Sequence, residues 1–385
     1  MSKTLIHNAT IYTEQQIIEN GSLVIDNEKI ATITNQTISS EAVDTIIDAN
    51  GLTLIPGFID SHIHGGYGVD VMDATKEALE TIAVHLPQEG TTSFLATTIT
   101  QSIDNITDAL KNVAMFPNQA GQAEIIGVHL EGPFIEAKKA GAQPLQHILA
   151  PSIQQFTEWQ EQANGLIKTI TLAPELEGMK QFIQFLSNQG ITISAGHTDA
   201  TFKDMQLAVE QGVTQLTHLC NAMNGMHHRD VGAVGAALLL DNLVAEIIAD
   251  KIHVSSAMLH ILYQQITKNR LILITDAMRA KGLPDGDYEL GGQAVNVTNQ
   301  VATLENGTLA GSTLKMNKAV KNMIEVTGAD IRDIMQMASI NPAIQAKVID
   351  RKGTIKEGKD ADILLIDKEW NIHFTFCNGK LAYKR

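Results

Sequence analysis

The chain has 385 residues, a formal net charge of -15 and 44% hydrophobic residues. That length suits one large domain with a smaller one, and the apolar content supplies a sizeable core. The acidic balance lacks the electrostatic footprint of a nucleic-acid binder, so an anionic ligand would need a local basic pocket. The two cysteines, Cys220 and Cys377, fit no disulfide framework, zinc ribbon or redox motif. The N-terminal MSKTLIHNATIYTEQQ lacks the charged-then-apolar pattern of a signal peptide, and no apolar run reaches the ~20 residues of a membrane span. A cytoplasmic protein is the expectation.

In chain order, residues 1–55 alternate short strand-like runs with turns, and Asp26-Asn27-Glu28 reads as the turn of a hairpin. The end of the chain has the same texture, in GTIKEGKDADILLID and NIHFTFCNGKLAYKR. The expectation is one small β-sandwich domain built from both termini, residues 1–55 plus 345–385. Between them, residues 56–344 alternate apolar runs with helix-like stretches. Eight strands are predicted: Phe58–His64, Thr92–Thr98, Glu124–Glu131, Ile167–Glu175, Ile191–His197, Val213–Leu219, Leu243–Asp250 and Arg270–Ala277. Among the intervening helices, DATFKDMQLAVEQG starts at a predicted Asp199 cap and ends at Gly212. Eight strands alternating with helices point to an α/β fold of the (β/α)8 TIM-like barrel type. A doubly wound open sheet is the alternative, but no Gly-rich phosphate loop follows the first strand. The Gly-rich segment from Gly282 to Leu314 reads as an inserted hairpin near the site, and IRDIMQMASINPAIQ as a closing helix.

The chemistry-bearing residues recur at the ends of these strands, where a barrel builds its site. His62 and His64 are two apart, so a strand points both to one face and lets them hold one cation. Glu131, His197 and His218 end three further strands. Any one of these alone is an ordinary rim residue. Together they form a carboxylate and imidazole set suited to one or two divalent metals such as zinc, iron, cobalt or nickel. Asp276 closes the eighth strand. A divalent metal lowers the pKa of water from ~15.7 to about 7. A carboxylate beside it can take that proton and pass it to a leaving amine, which is the chemistry of C–N hydrolysis. His253, after the seventh strand, is placed to reach a substrate hydroxyl or carbonyl. The segment NAMNGMHHRD carries Asn221, His227, His228 and Arg229. Arg229 brings the planar fork favoured by phosphate or carboxylate, and a surface salt bridge to Asp230 is its alternative use.

With these residues in view, the chain resembles the amidohydrolase superfamily and, within it, the N-acetylglucosamine-6-phosphate deacetylase family. The resemblance runs through PGFIDSHIHG, HLEGPF, AGHTDA, THLCNAMNGMHHRD, IIADKIHV, LITDAM and GTLAGSTL to GTIKEGKDADILLID, essentially the whole chain. The His pair and the final Asp mark only the superfamily; the combination of the other motifs marks the deacetylases. The resemblance implies hydrolysis of the acetamide of a phosphorylated amino sugar. It implies a main metal on Glu131, His197 and His218, and a second on His62 and His64 with Asp276 and Glu131 close by. Asp276 would be general base and then acid. His253, Asn221 and the backbone of Ala222 would contact the sugar or its acetamide. Arg229, with His228 as a weaker candidate, would hold the phosphate, and homodimers would bring a neighbouring subunit close to that pocket. Two positions depart from the family pattern. Gln143 stands where some relatives have a histidine and is expected to hydrogen-bond substrate, and Cys220 stands where an aromatic residue is common and is read as packing. Rival expectations are another amidohydrolase reaction, such as a cyclic amidase or deaminase, and a non-catalytic scaffold that kept the barrel.

Overall fold

The computed structural model describes residues 3–36, 38–39 and 43–385. Short apolar runs punctuated by turns at the start of the chain form β1 (Lys3–Tyr12), β2 (Ile17–Asp26), β3 (Lys29–Thr34), β4 (Thr45–Asp48) and β5 (Thr53–Pro56). The turn expected at Asp26-Asn27-Glu28 is there: Asp26 pairs with Lys29, and Asn27 takes the left-handed conformation that such turns require.

The barrel follows with β6 (Phe58–Ile63), a two-residue ribbon of β7 (Gly65–Gly66) and β8 (Val69–Asp70), then β9 (Thr91–Thr98), β10 (Glu124–Glu131), β11 (Ile167–Leu172), β12 (Thr192–Ala195), β13 (Gln215–Leu216), β14 (Val244–Ile248) and β15 (Leu271–Ile274). Omitting the ribbon, these strands pair parallel in sequential order from β6 to β15. A doubly wound sheet would reverse its order midway, so the open-sheet alternative falls. The burial of all of β9, and of β10 after its first residue, reflects a sheet covered on both faces.

The ends of the barrel sheet are joined at one seam. Ile63 bridges Ala277 in parallel, and the Asp276 N–H donates to the His62 carbonyl at 2.8 Å. Buried Asp60 closes the seam below, where its carboxylate accepts from the Thr275 hydroxyl at 2.6 Å and the Thr275 N–H at 3.2 Å.

Outside the barrel lie α1 (Lys76–His85), α2 (Ile103–Met115), α3 (Ile153–Gln162), α4 (Met179–Asn188), α5 (Phe202–Gln211), α6 (Gly232–Leu239), α7 (Ser256–Ile266) and α8 (Met316–Thr327). The cap of α5 differs from expectation. Thr201, not Asp199, is the N-cap and forms a capping box with Asp204, a device worth about 1 kcal/mol. Asp199 is drawn away because its N–H donates to Glu175 at 2.6 Å. Gly212 ends the helix as expected.

The Gly-rich insertion forms an antiparallel sheet of β16 (Gly286–Leu290), β17 (Gln293–Thr298) and β18 (Val301–Thr303), with its own apolar cluster packed on Ile99 and Met278. The closing helix is α9 (Ile331–Met335) and α10 (Asn341–Gln345), joined by a π-helical turn, Gln336–Ile340, just before Pro342. The chain then returns as β19 (Ile363–Ile366), β20 (Ile372–Cys377) and β21 (Lys380–Lys384). These join β1–β5 in one hydrogen-bonded sheet over a second apolar cluster. No helix among the described residues is long and apolar enough to cross a membrane.

Candidate active site

The strands that carry the donors are shorter than expected. β12 stops at Ala195, β13 at Leu216 and β15 at Ile274. His197, His218 and Asp276 lie just beyond them with φ of 48°, 31° and 47°. Such left-handed backbone is uncommon for residues other than glycine and costs on the order of 1–3 kcal/mol each. Here it turns the side chains from three strands back over the barrel mouth. The HLEGP turn needs Gly132, because a Cβ there would meet the Thr100 hydroxyl at 2.1 Å.

Six residues converge. Glu131 Oε1 lies 3.2 Å from both His197 Nε2 and His218 Nε2 and 3.4 Å from His62 Nε2. Glu131 Oε2 lies 3.3 Å from His64 Nε2. Asp276 Oδ1 lies 3.2 Å from His64 Nε2 and 3.4 Å from His62 Nε2. All six side chains are buried. They fall into two groups able to hold a cation, Glu131/His197/His218 and His62/His64/Asp276.

Tautomers decide whether the donors fit a metal. His197 Nδ1 donates to the Lys139 carbonyl at 2.9 Å, which leaves Nε2 with a bare lone pair. His62 Nδ1 donates to the Glu246 carboxylate at 3.0 Å, and its Nε2 is buried without a hydrogen-bond partner. The His197 and His218 Nε2 atoms sit 3.1 Å apart. Lone pairs thus converge on carboxylates, an arrangement that repels itself unless a cation enters. Without one, the group draws protons. Burial opposes charge on His62, yet Asp276, Glu131 and Glu246 outweigh it and lift the imidazole to about 9. Against the same burial, hydrogen bonds to Asp276 and Glu131 raise His64 well above the usual range. Burial pushes Asp276 up, but His62 and His64 win and hold it at about 2. The donor set fits a divalent metal.

Five of the six donors, His64, Glu131, His197, His218 and Asp276, floor a cavity of about 250 Å³. Asn221, Ala222 and His253 line its wall. The Asn221 amide braces the loop by donating to the His218 carbonyl at 3.1 Å. His253 Nδ1 donates to Asp250 at 2.6 Å, so its Nε2 is the hydrogen-bond acceptor. Gln143 also lines the cavity, but its side chain is engaged with the protein. Its Nε2 donates to Glu131 Oε2 at 2.7 Å, and its Oε1 accepts from the Thr100 N–H at 2.8 Å. Leu290, Thr308, Leu309 and Gly311 of the insertion form the roof with Ile99.

Arg229 and His228 are not brought to this cavity. Both are exposed, and Arg229 Nη1 sits 2.6 Å from His228 Nε2. Asp230 instead accepts the Phe202 and Gly232 N–H groups at 3.1 and 2.8 Å. Among the described residues no Lys or Arg lines the cavity. Cys220 is partly buried against the main core, and burial raises its thiol to about 11, consistent with packing.

Several participants escaped the sequence reading. Glu246, His129, Gln215 and Asp250 stand behind the donors and the wall. Glu246 left one signal, as a lone carboxylate inside the apolar run LVAEIIA. Two polar residues of the IIADKIH and HLE motifs, Asp250 and His129, lay in view without a partner to assign them.

The amidohydrolase family model matches residues 53–382. A Bacillus subtilis (strain 168) protein named N-acetylglucosamine-6-phosphate deacetylase is 44% identical over 383 residues, 98% of this chain and 97% of that one. An Escherichia coli O157:H7 protein named N-acetylgalactosamine-6-phosphate deacetylase is 35% identical over 373 residues, 97% of each. A mutant Mycobacterium smegmatis N-acetyl-D-glucosamine-6-phosphate deacetylase, solved with N-acetyl-D-glucosamine-6-phosphate, superposes with a TM-score of 0.91 at 26% identity, covering 100% of both chains. The chain belongs to the amidohydrolase family.

Proposed function

We propose that this amidohydrolase removes the acetyl group of N-acetylglucosamine 6-phosphate, giving glucosamine 6-phosphate and acetate. The observation that carries the reading is one cavity holding both parts of that task. The metal donors and Asp276 form its floor, and Asn221, Ala222 and His253 form its wall. The full-length likeness to deacetylases of phosphorylated hexosamines supports the substrate class.

In this reading Glu131, His197 and His218 hold one divalent metal, and His62, His64 and Asp276 a second. Zinc, iron, cobalt and nickel all suit the donors. When bound, such a metal acidifies water and polarises a carbonyl oxygen. The chain's own residues do the rest. Asp276 accepts the proton of the attacking water as the new C–O bond forms on the acetamide carbon. It then delivers that proton to the nitrogen as the C–N bond breaks, so the amine leaves neutral. His253, held by Asp250 with Nε2 free to accept, orients a sugar hydroxyl. Asn221 and the Ala222 backbone orient the acetamide, and Ile99, Leu290 and Leu309 exclude bulk water from above. Gln143 assists through Glu131.

Arg229, with His228, is the phosphate contact in this reading. Their exposed loop fits a homodimer in which a neighbouring subunit borders the phosphate end. The setting is cytoplasmic amino-sugar catabolism or cell-wall recycling. The E. coli likeness keeps N-acetylgalactosamine 6-phosphate as a second substrate to compare. The test is free-amine release from both phosphorylated sugars and from unphosphorylated N-acetylglucosamine, with chelator and after metal is restored. Metal-dependent release from N-acetylglucosamine 6-phosphate, with the unphosphorylated sugar far slower, is the expected result. No release after metal is restored, or equal rates with and without phosphate, would overturn it.

A further inference from the structure

Glu246 has no part in the chemistry above, yet it touches both donor groups. It sits within β14, fully buried inside the barrel. Its Oε2 accepts the His62 Nδ1–H at 3.0 Å and lies 3.4 Å from the His218 backbone N–H. Its Oε1 accepts the Gln215 side-chain N–H at 2.8 Å, and its backbone carbonyl accepts the Leu219 N–H at 2.8 Å. One side chain therefore grips a donor of the His62/His64/Asp276 group and the backbone of a donor from the Glu131/His197/His218 group.

Two consequences follow for the same half of the site. The first is directional. A carboxylate on Nδ1 fixes the His62 tautomer, so the bare Nε2 faces Glu131 and Asp276 at 3.4 Å each. A carboxylate behind a ligating imidazole both orients the ring and strengthens it as a donor. The second is charge. Glu131, Asp276 and Glu246 are three buried carboxylates, and among the described residues none pairs with Lys or Arg. With neutral imidazoles, one dication leaves the set net negative in a buried place, where uncompensated charge is costly. A second dication turns that deficit into a single positive charge, which one small anion such as hydroxide can balance.

We propose that Glu246 is the positioning residue that makes His62, His64 and Asp276 a site for a second divalent cation. The proposal rests on the reading that Glu131, His197 and His218 hold the first. The test is a titration of the metal-stripped full chain with Co2+, read by calorimetry, by the visible absorption of bound Co2+ and by elemental analysis. The wild type is expected to take up two Co2+ per chain. Glu246→Gln is isosteric, and the unpartnered Gln215 Oε1 can turn to accept from the new amide. This variant is expected to keep one Co2+ at wild-type affinity and to loosen the other about 10- to 100-fold. Gln215→Met, which leaves the carboxylate in place, should loosen the same site by a smaller factor, and it decides the matter if Glu246→Gln does not fold. Two Co2+ bound at wild-type affinities by the variants, or equal loss of both, would overturn the role of Glu246. A wild type that binds no Co2+ would overturn the donor-group reading beneath it, a different failure. A single tight Co2+ in the wild type would overturn only the second site.

Discussion

Two buried clusters of carboxylates show what separates a structural charge network from a reactive one. At the junction between the barrel and the terminal sheet, Glu124, Asp360 and Asp362 surround Lys352, which lies 2.9 Å from Glu124 and 3.2 Å from Asp360 and also binds Asp362. Arg351 adds a bidentate contact to Glu124 at 2.6 and 3.0 Å. At the barrel mouth, the only basic side chains paired with Glu131, Asp276 and Glu246 among the described residues are histidines. Strong bases stay charged and satisfy their carboxylates within the fold, as Lys and Arg do at the junction. Imidazoles can exchange their protons for a cation and offer it lone pairs, so the second cluster is completed by something from outside, a proton or a metal ion. The first holds the molecule together, and the second holds its chemistry.

Substitutions in each cluster should therefore separate stability from turnover. The largest effect is expected at the mouth. Asp276→Asn should keep the fold and the metal on Glu131, His197 and His218 while kcat falls about 10²- to 10⁴-fold, the range for losing a general acid and base. Near-normal turnover, measured beside metal content and thermal unfolding, would remove its assigned role. The converse belongs to the junction. Lys352→Met leaves the buried Asp362 carboxylate without its cation and should destabilise by about 3–5 kcal/mol in denaturant unfolding, with KM unchanged.

Acid should act on the junction in a defined direction. Burial pushes Glu124 up, but hydrogen bonding to Arg351 and the charge of Lys352 prevail and hold it at about 2. Its folded value is thus below the unfolded value of ~4.3. The stabilisation it gives is full above the unfolded value and is lost as pH falls towards 2. Unfolding of metal-free protein followed between these limits should show that loss, and Arg351→Met should flatten it. An equally steep loss in the variant would assign the acid sensitivity to other groups.

The smallest effect is expected at the exposed loop. Arg229→Ala should raise KM for the phosphorylated sugar about tenfold and leave kcat nearly intact, as for loss of one hydrogen bond to a charged group. Unchanged kinetics would remove Arg229 as the phosphate contact.

Much of this was legible in the chain itself. Short apolar runs separated by helix-like stretches marked the barrel, because parallel strands are buried on both faces and lack alternation. The spacing of His62 and His64 placed both on one face. The capping error at Asp199 was small and physical: Glu175, twenty-four residues earlier, claims its N–H. Gln143 was expected to face substrate and instead binds Glu131, because the loop after HLEGP folds it inward over the Thr100 N–H.

By itself, then, the sequence determined the alternation of eight strands with helices, the donor types and the strands they follow, since these depend on periodicity and near neighbours. Tertiary structure alone decided which nitrogen of His197 and of His62 is bare. The partners that settle it, Lys139 for His197 and Glu246 for His62, lie 58 and 184 residues away. It also decided that β6 and β15 meet at a seam carrying half of the donors, and that Arg229 stands outside the cavity. A lone pair's direction is set by the group that takes the proton on the other side of the ring, and only the folded chain brings that group into reach.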